Sequence, residues 1–415
     1  MGLQRRLFLS GSLCASLAAL ASCRPRVEVL SEVPGSDSAV PAGGDAKPTK
    51  TLLVLGGTGF LGPHVVEAAL ARGYTVTLFN RGKTNPHLFP KLEKLRGDRD
   101  GGLDELAAAI AGGRRFDVVL DTSGYVPRIV RASAELLAPA VDHYIFISSI
   151  SVYATPKVHG LDETAAVAVL EDAAVEEITG ETYGPLKALC EAAAEEVMPG
   201  RVTTVRPGLI VGPGDPTDRY TYWPARVARG GPMVAPGSPQ DPVQYIDVRD
   251  LADWLTVCME RRHLGIYNAV GRASQTTIGA LIDACLEAAG GDAQPVWIDA
   301  AFLEEHEVMP WVHMPVWVPP SGEDGGLTQV SIAKALALGL SFRPARETAA
   351  DTLAYWRALP EERRAEPKAG LDSAKEAEVL AAWRARPNSG AKRAELWGLH
   401  RPSACRAARC SVVGA

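Results

Sequence analysis

The feature that most constrains the fold is a glycine-rich turn between an apolar strand and a helix. Residues Thr51–Leu55 form a continuous apolar run, as expected of a parallel strand buried on both faces. The run leads into residues 56–62 (GGTGFLG), which are followed by a helical pattern over 65–71 and a second strand over 75–79. A strand, a glycine turn, a helix and a strand within about 30 residues form the unit that binds the pyrophosphate of a dinucleotide.

The glycines of this turn serve two physical purposes. The chain must turn sharply, and a pyrophosphate must approach backbone N–H groups at the helix N-terminus without a Cβ in the way. We therefore predict that the following residues contact a cofactor: Gly56, Gly59, Phe60, Leu61 and Gly62.

Further apolar runs predict the rest of a parallel sheet. A short segment before Gly97 is the expected third strand, and Phe116–Asp121, 144–147 and 202–205 are the expected fourth, fifth and sixth strands. Open parallel sheets bind ligands beyond the carboxyl ends of their strands, so the residues that follow these strands are site candidates.

Two later motifs complete the pattern. Residues 148–153 (SSISVY) follow the fifth strand, and residues 183–187 read YGPLK. In this order, and after a G-x-x-G-x-x-G turn, they resemble the extended and atypical short-chain dehydrogenase/reductase superfamily, within the NAD-dependent epimerase/dehydratase family. The resemblance implies a catalytic set of Ser149, Tyr183 and Lys187, with Ser151 as the alternative to Ser149.

The spacing of the tyrosine and the lysine explains the chemistry that the resemblance implies. Tyr183 and Lys187 lie one turn apart on one helical face. The positive charge of Lys187 is expected to lower the pKa of Tyr183 towards the working pH, so that Tyr183 exchanges a proton with a substrate hydroxyl or carbonyl. Ser149 would hydrogen-bond the same substrate oxygen, and Lys187 would also hold the nicotinamide ribose.

The end of the second strand bears on the choice of cofactor. NAD sites usually carry Asp or Glu there, whereas this chain has Asn80 and Arg81. A neutral residue followed by arginine suits a 2′-phosphate better, which predicts NADP in preference to NAD. By resemblance, Asp98 contacts the adenine. The turn 122–124 (TSG) departs from the small Asn-Ala-Gly turn of the family, although Gly124 still permits close approach of a cofactor.

The resemblance also divides the chain. Residues 206–213 (RPGLIVGP) resemble the passage into a substrate lobe, and 243–252 (VQYIDVRDLA) resemble the return. We expect an α/β fold, a Rossmann-type doubly wound parallel sheet with a smaller C-terminal substrate lobe. The predicted NAD(P)-binding domain covers 50–206 and is re-entered at about 243–270, and the substrate lobe covers 207–242 and 271–386.

Three local features of the second half have alternative or structural interpretations. The aromatic residues Tyr220, Tyr222 and Trp223 form either a wall of the substrate pocket or ordinary packing. Asp250 is expected to cap the following helix. The acidic segment 162–181 is predicted to be a lid or a surface insertion.

The N-terminal residues predict a targeting signal that is separate from the folded domain. Arg5 and Arg6 precede an apolar stretch that ends in Leu-Ala-Ser before Cys23. This resembles a twin-arginine export signal with a lipobox, so residues 1–23 are predicted to be a signal peptide and Cys23 a lipidation site. The alternative is a soluble signal peptide with an incidental cysteine. Residues 24–49 are expected to be a flexible linker and 387–415 a disordered tail.

These observations predict the class of function. A net charge of −6 and the lack of a basic stripe argue against nucleic acid, and the scattered histidines argue against a metal site. We expect an NAD(P)-dependent oxidoreductase, epimerase or dehydratase that acts on a hydroxyl or carbonyl of a carbohydrate-like small molecule. The alternative is a non-catalytic NAD(P)-sensing or interaction protein on the same fold.

The expected location constrains the enzyme further. We expect an exported bacterial protein, periplasmic or held at the cell-envelope membrane by an N-terminal lipid anchor. Because free dinucleotides are expected to be scarce outside the cytoplasm, such an enzyme should keep its cofactor bound and regenerate it within each cycle. A homodimer is expected by family analogy alone.

Overall fold

The computed structural model of the protein describes residues 49–172, 174–272 and 276–386. Its strands are, in chain order, β1 (Thr51–Leu55), β2 (Thr75–Asn80), β3 (Glu93–Arg96), β4 (Phe116–Asp121), β5 (Val141–Ile147), β6 (Val202–Pro207), β7 (Leu209–Val211), β8 (Pro232–Pro236), β9 (Tyr245–Asp247), β10 (Gly265–Ala269) and β11 (Gln294–Ile298). Its α-helices are α1 (Leu61–Ala71), α2 (Asp104–Ala111), α3 (Pro127–Leu137), α4 (Tyr183–Val197), α5 (Tyr222–Val227), α6 (Val248–Arg261), α7 (Ile278–Ala289), α8 (Ala300–Glu305), α9 (Ala333–Ala337), α10 (Ala345–Ala358), α11 (Glu361–Ala365) and α12 (Ser373–Ala385).

The central sheet is parallel and covered on both faces. Within the described residues its strand order is β3-β2-β1-β4-β5-β6-β10. Successive side chains of β1 point to opposite faces, so Leu52 and Val54 pack with α1 and α6, while Leu53 and Leu55 pack with α3 and α4. This two-sided burial explains why the strand reads as an unbroken apolar run, and it confirms the predicted Rossmann-type fold.

The sheet also determines where a ligand can bind. Strand β1 pairs with β2 on one side and with β4 on the other, so the chain reverses its direction of travel across the sheet at this point. The turns after these strands diverge and leave a crevice at the carboxyl ends. The glycine turn 56–62 lies at this crevice.

A second hydrophobic cluster forms beyond the sheet. It gathers side chains of α5, α7, α8, α10 and α12 with those of the two-stranded sheet β8-β11. Tyr220 and Trp223 are fully buried in it, Tyr222 is also buried, and Trp223 Nε1 donates to Pro315 O at 2.9 Å. The pocket-wall interpretation of these three aromatics is therefore wrong, and packing is their role.

The cap of α6 differs from the prediction by one turn. Asp247 is the N-cap, because its Oδ1 accepts from the Arg249 backbone N–H at 2.9 Å. Asp250 lies within the first turn, where its carboxylate accepts from the backbone and side chain of Arg343 at 3.0 and 2.8 Å. Arg249 itself pairs with Asp247 and Asp351.

Several predictions fall on parts of the chain that the structure does not describe. These are the signal-like segment 1–23 with Cys23, the linker up to residue 48 and the tail 387–415. Across the ranges that are described, no helix is both long and apolar enough to cross a membrane.

Candidate functional site

A cavity of about 610 Å³ opens at the carboxyl ends of the central strands. It brings together nearly all of the predicted cofactor and catalytic residues, which line it as follows: Gly56, Gly59, Phe60, Leu61, Gly62, Asn80, Arg81, Asp98, Ser149, Tyr183 and Lys187. Gly124 is not part of the lining, although its carbonyl contacts Lys187. Residues from five separate segments therefore meet at one cleft.

The glycine turn has the geometry that close approach of a ligand requires. Gly56 and Gly57 have φ angles of +110° and +84°, which favour glycine. A Cβ on Gly62 would lie 2.6 Å from backbone atoms of Gly57, so Gly62 lets α1 begin directly against the turn. A Cβ on Gly59 would meet nothing within 4 Å. The turn thus leaves open space before the N-terminus of α1, which fits a pyrophosphate.

Asn80 stabilises this turn from the end of β2. Its Nδ2 donates to Gly56 O at 3.0 Å, and its Oδ1 accepts from Gly82 N at 2.9 Å and from Arg96 Nη1 at 2.7 Å. All of these partners are protein groups, so the side chain positions the turn. The predicted cofactor contact at this strand end therefore falls mainly to its neighbour Arg81.

Arg81, unlike Asn80, is largely exposed to solvent. More than half of its side chain is exposed, and its Nη1 lies 3.8 Å from Asp98 Oδ2. Both side chains line the cavity. An exposed guanidinium at the end of β2 is able to pair with a phosphate group.

A buried ionic cluster, which the sequence analysis missed, lies behind the turn after β4. Arg99 Nη1 donates to Asp121 Oδ1 at 2.6 Å, and Tyr144 OH donates to Asp121 Oδ2 at 2.7 Å. The Thr122 and Ser123 hydroxyls donate to Leu55 O at 3.0 and 3.2 Å, which ties this turn to the end of β1. The departure from the family turn is thus compensated by hydroxyl bonds. The feature of the sequence that could have pointed to Arg99 is its position after β3, next to Asp98.

The serine turn and Tyr183 meet at the inner end of the cavity. Ser149 Oγ accepts from Ser151 N and donates to Ser151 Oγ, both at 3.1 Å. Burial raises the pKa of Tyr183 to about 12, and neighbouring Tyr125 adds to this, whereas the Ser149 hydroxyl and Arg219 act in the opposite direction. Ser151 does not line this cavity, which favours Ser149 as the hydroxyl that faces a cofactor.

Lys187 is buried and held by two backbone carbonyls. Its Nζ donates to Gly124 O and to Ile147 O, both at 2.6 Å, and lies 4.2 Å from the ring centroid of Phe146. Burial lowers the pKa of Lys187 to about 8. The effect of Lys187 on the pKa of Tyr183 stays a prediction, because burial is the largest influence on that pKa and raises it.

A second buried cluster, also missed, fixes the serine turn against α4. Glu191 lies one turn after Lys187, and its carboxylate accepts from Arg206 Nε at 2.9 Å, from Arg206 Nη2 at 2.6 Å and from the Ser148 hydroxyl. Both charged side chains are more than nine-tenths buried. The cluster joins the ends of β5 and β6 to α4, so it ties the turn that carries Ser149 to the helix that carries Tyr183.

A smaller cavity of about 210 Å³ adjoins the first. The two share Ser149, Tyr183, Gly208 and Arg219. The remaining walls come from distant parts of the chain, including Trp311, and from the end of the acidic segment 162–181 at Gly180 and Glu181. A molecule in either cavity would thus reach the same two hydroxyls, those of Ser149 and Tyr183. Among the residues described, no group of three His, Cys, Asp or Glu side chains could hold a metal ion.

Comparison with known proteins identifies the family. The model of the NAD dependent epimerase/dehydratase family matches residues 52–269, which is more than half of the 415 residues. The epimerase family protein SDR39U1 of Bos taurus is 28% identical over 282 residues, 62% of this chain and 88% of that protein. The chloroplast stem-loop binding protein of 41 kDa b of Arabidopsis thaliana is 28% identical over 263 residues. That match covers 59% of this chain and 65% of the plant protein, just under two thirds.

Solved structures share the fold. The Bordetella bronchiseptica enzyme WbmH, in complex with NAD+, superposes with a TM-score of 0.53 at 16% identity, covering 75% of this chain and 99% of that one. The UDP-glucose 4-epimerase of Thermotoga maritima, with UDP-glucose, gives 0.51 at 20% identity, covering 74% and 98%. With its glycine turn, serine turn and Y-x-x-x-K helix at one cleft, the chain belongs to the NAD-dependent epimerase/dehydratase family of extended short-chain dehydrogenases/reductases.

Proposed function

We propose that the protein is an NAD(P)-dependent oxidoreductase, epimerase or dehydratase acting on a hydroxyl or carbonyl of a carbohydrate-like small molecule. One observation carries the proposal. Ser149 and Tyr183 line both the larger and the smaller cavity, so one pair of hydroxyls borders a dinucleotide-sized space and a substrate-sized space.

The residues divide the work as follows. Because its pKa is raised, Tyr183 keeps its proton at neutral pH and donates it to a carbonyl oxygen in the direction of reduction. The single O–H of Ser149, which donates to Ser151 Oγ in the structure, turns to donate a hydrogen bond to the same oxygen. The nicotinamide, when bound, supplies or accepts the hydride. Lys187 has three N–H donors and uses two on Gly124 and Ile147, which leaves one for a ribose hydroxyl of the cofactor.

We propose NADP as the preferred cofactor. Support comes from Arg81, whose exposed guanidinium at the end of β2 suits a 2′-phosphate, and from the neutral Asn80, which does not repel one. Among the structural neighbours, WbmH is in complex with NAD+. NAD and NADP share the nicotinamide and differ in the 2′-phosphate, so binding of that phosphate is the property to test.

We also propose export with lipid attachment at Cys23. Support comes from the twin-arginine and lipobox resemblance of residues 1–23. The proposal predicts a membrane-associated protein that begins at an acylated Cys23. Mass spectrometry of the N-terminal peptide tests this, and an intact Met1 in the cytosolic fraction would contradict it. A homodimer remains a prediction.

A second candidate is a non-catalytic NAD(P)-binding protein. One observation favours it: the plant relative is named for stem-loop binding. The net charge of −6 weighs against binding to RNA.

The deciding experiment combines cofactor content with one substitution. The purified protein is denatured, and the released NAD(H) and NADP(H) are measured by chromatography. Near-stoichiometric cofactor supports an enzyme that regenerates its cofactor, and an empty protein argues against this. Tyr183→Phe should abolish turnover and leave cofactor content unchanged. The matched control is Tyr74→Phe. The buried Tyr74 hydroxyl has no hydrogen-bond partner among the described residues, and Tyr74 lies at the end of β2 that is far from the cavity. Full activity in the Tyr183→Phe variant would contradict the proposed catalytic role of Tyr183.

A further inference from the structure

We propose that Arg219 binds a carboxylate of the substrate, and that the substrate is a small hydroxy or oxo acid, such as a sugar acid, rather than a nucleotide-linked sugar. The inference rests on the proposed function and specifies its substrate class. Its basis is the position, the charge and the surroundings of one guanidinium between the two cavities.

The position of Arg219 places a bound anion beside the reacting groups. Arg219 lines both cavities together with Ser149 and Tyr183. Its charge acts on Tyr183, lowering the tyrosine pKa against the effect of burial. A carboxylate held by Arg219 would therefore lie a short distance from the oxygen that Tyr183 protonates.

Among the described residues, no carboxylate forms a direct salt bridge with Arg219. Its Nε donates to Thr217 Oγ1 at 3.1 Å, and its guanidinium lies 5.3 Å from the ring centroid of Trp311. Within the described residues, no carboxylate lies within 4.0 Å of it, and its two terminal amino groups make no hydrogen bond. Nearby Asp215 is buried and attracts Arg219 electrostatically, but it directs Oδ1 to the Thr217 backbone and hydroxyl rather than to the guanidinium.

Three arginines with buried side chains have the contact that Arg219 lacks. Arg99, Arg206 and Arg226 each contact a carboxylate oxygen at 2.6 Å. Arg219 is half-buried at the cavities, and a guanidinium with two free amino groups matches a carboxylate in a bidentate arrangement. A substrate carboxylate in the smaller cavity would be such a partner for Arg219.

The size of the smaller cavity limits the substrate. Its 210 Å³ is about one third of the 610 Å³ in which a dinucleotide would lie. A single sugar ring or a short-chain acid fits within this volume, which suits a small substrate.

The charges lining the smaller cavity lead to the same conclusion. Among its described lining residues, Arg219 carries the positive charge, and Glu181 and Asp324 carry negative charges. A diphosphate, which carries more than one negative charge, would find a single cation among these residues. A monoanion needs one cation, and Trp311 and the neighbouring apolar residues supply contact for the rest of the molecule.

The test uses the full-length protein loaded with NADP(H), with cofactor content measured first. D-glucuronate and D-glucose form a matched pair that differs in one carboxylate, and lactate and lactamide form a second pair. UDP-glucose is the nucleotide-linked competitor. Binding is followed by calorimetry and by the fluorescence of bound NADPH. We expect the acid of at least one pair to bind about tenfold or more tightly than its neutral partner, as for a hydrogen-bonded charge pair, and UDP-glucose to bind no more tightly than glucose.

Substitutions then assign the preference to Arg219. Arg219→Gln should reduce it to about onefold, and Arg219→Lys should retain part of it. Arg115→Gln is the control, because Arg115 is exposed, pairs with Asp142 at the surface and precedes β4 at the far end of the sheet. Cofactor content and the thermal unfolding midpoint of each variant should equal those of the wild type.

The outcomes separate this inference from the proposed function. Equal binding of acids and neutral partners, binding of no acid, a preference that survives Arg219→Gln, or tightest binding of UDP-glucose would each overturn the carboxylate assignment. Loss of cofactor from Arg219→Gln would also overturn it, since Arg219 would then belong to the cofactor subsite. Failure of the wild-type protein to bind any nicotinamide cofactor would instead overturn the proposed function.

Discussion

The two cavities share a wall but are built in different ways. The larger one is formed mostly by turns that directly follow strands of one parallel sheet, and its key atoms are backbone groups, as at Gly56 and Gly62. The smaller one is formed by side chains from distant segments, among them Glu181, Arg219 and Trp311.

This difference separates what is common to the family from what is particular to the chain. Backbone turns at strand ends recognise phosphate and ribose, which every dinucleotide carries. Side chains gathered from separate loops recognise one substrate, because each can change without disturbing the sheet. The resemblance to known enzymes therefore informs the first cavity far more than the second.

The largest expected effect compares a buried ion pair at the site with one in the second cluster. Glu191→Ala leaves Arg206 buried without a partner, and Glu376→Ala does the same to Arg226, which donates to Glu376 Oε2 at 2.6 Å. Each should lower the free energy of unfolding by about 3–5 kcal/mol. Because Glu191 also holds Ser148, it alone should weaken cofactor binding. Denaturant unfolding measures the loss of stability, and cofactor titration measures the loss of affinity. Equal weakening of cofactor binding in both variants would contradict the predicted difference between the two ion pairs.

The next effect concerns the pH dependence that Lys187 confers on stability. Its pKa is lowered from 10.5 to about 8 by burial, so between these values the unfolded chain binds the proton that the folded chain has released. At and below about pH 8 the buried Lys187 therefore lowers the free energy of unfolding by on the order of 3 kcal/mol. This loss of stability disappears as the pH rises towards 10.5. The difference in unfolding free energy between wild type and Lys187→Met should rise over this interval. A difference that stays constant from pH 7 to 10.5 would show that Lys187 is not desolvated.

A pair of glycine substitutions sharpens the role of the backbone in the larger cavity. Gly62→Ala forces a methyl group against the Gly57 backbone and should cost about 1–3 kcal/mol of stability together with cofactor binding. Gly59→Ala meets no protein atom, so stability should stay close to that of the wild type while cofactor affinity falls about tenfold. Thermal unfolding and fluorescence titration separate the two, and unchanged affinity in Gly59→Ala would place the pyrophosphate elsewhere.

The smallest expected effect on stability comes from the surface of the same cavity. Arg81→Ala removes a half-exposed contact of 3.8 Å with Asp98, so stability should change by less than about 0.5 kcal/mol. The ratio of NADPH to NADH affinity should nevertheless fall about tenfold, because a charge-assisted contact to the 2′-phosphate is lost. An equal loss for both cofactors would instead assign Arg81 to the pyrophosphate.

Much of the larger cavity was predictable because its determinants are local. The run of β1 and the bounds of β4 follow from unbroken apolar sequence, and the spacing of Tyr183 and Lys187 is a property of any helix. The order of the motifs along the chain then indicated that they would meet at one sheet edge. The sequence by itself thus determined the fold class and the place of the cofactor cleft, and its resemblance to a known family supplied the catalytic candidates.

Only the tertiary structure decided the contacts between residues far apart in the chain. Arg99 pairs with Asp121 and Arg219 lies over Trp311 because loops from separate elements converge, and no periodicity encodes such a meeting. The same holds for the raised pKa of Tyr183, which depends on how completely its surroundings exclude water. Local geometry is set by neighbours in sequence, whereas desolvation and charge pairing are set by packing in space.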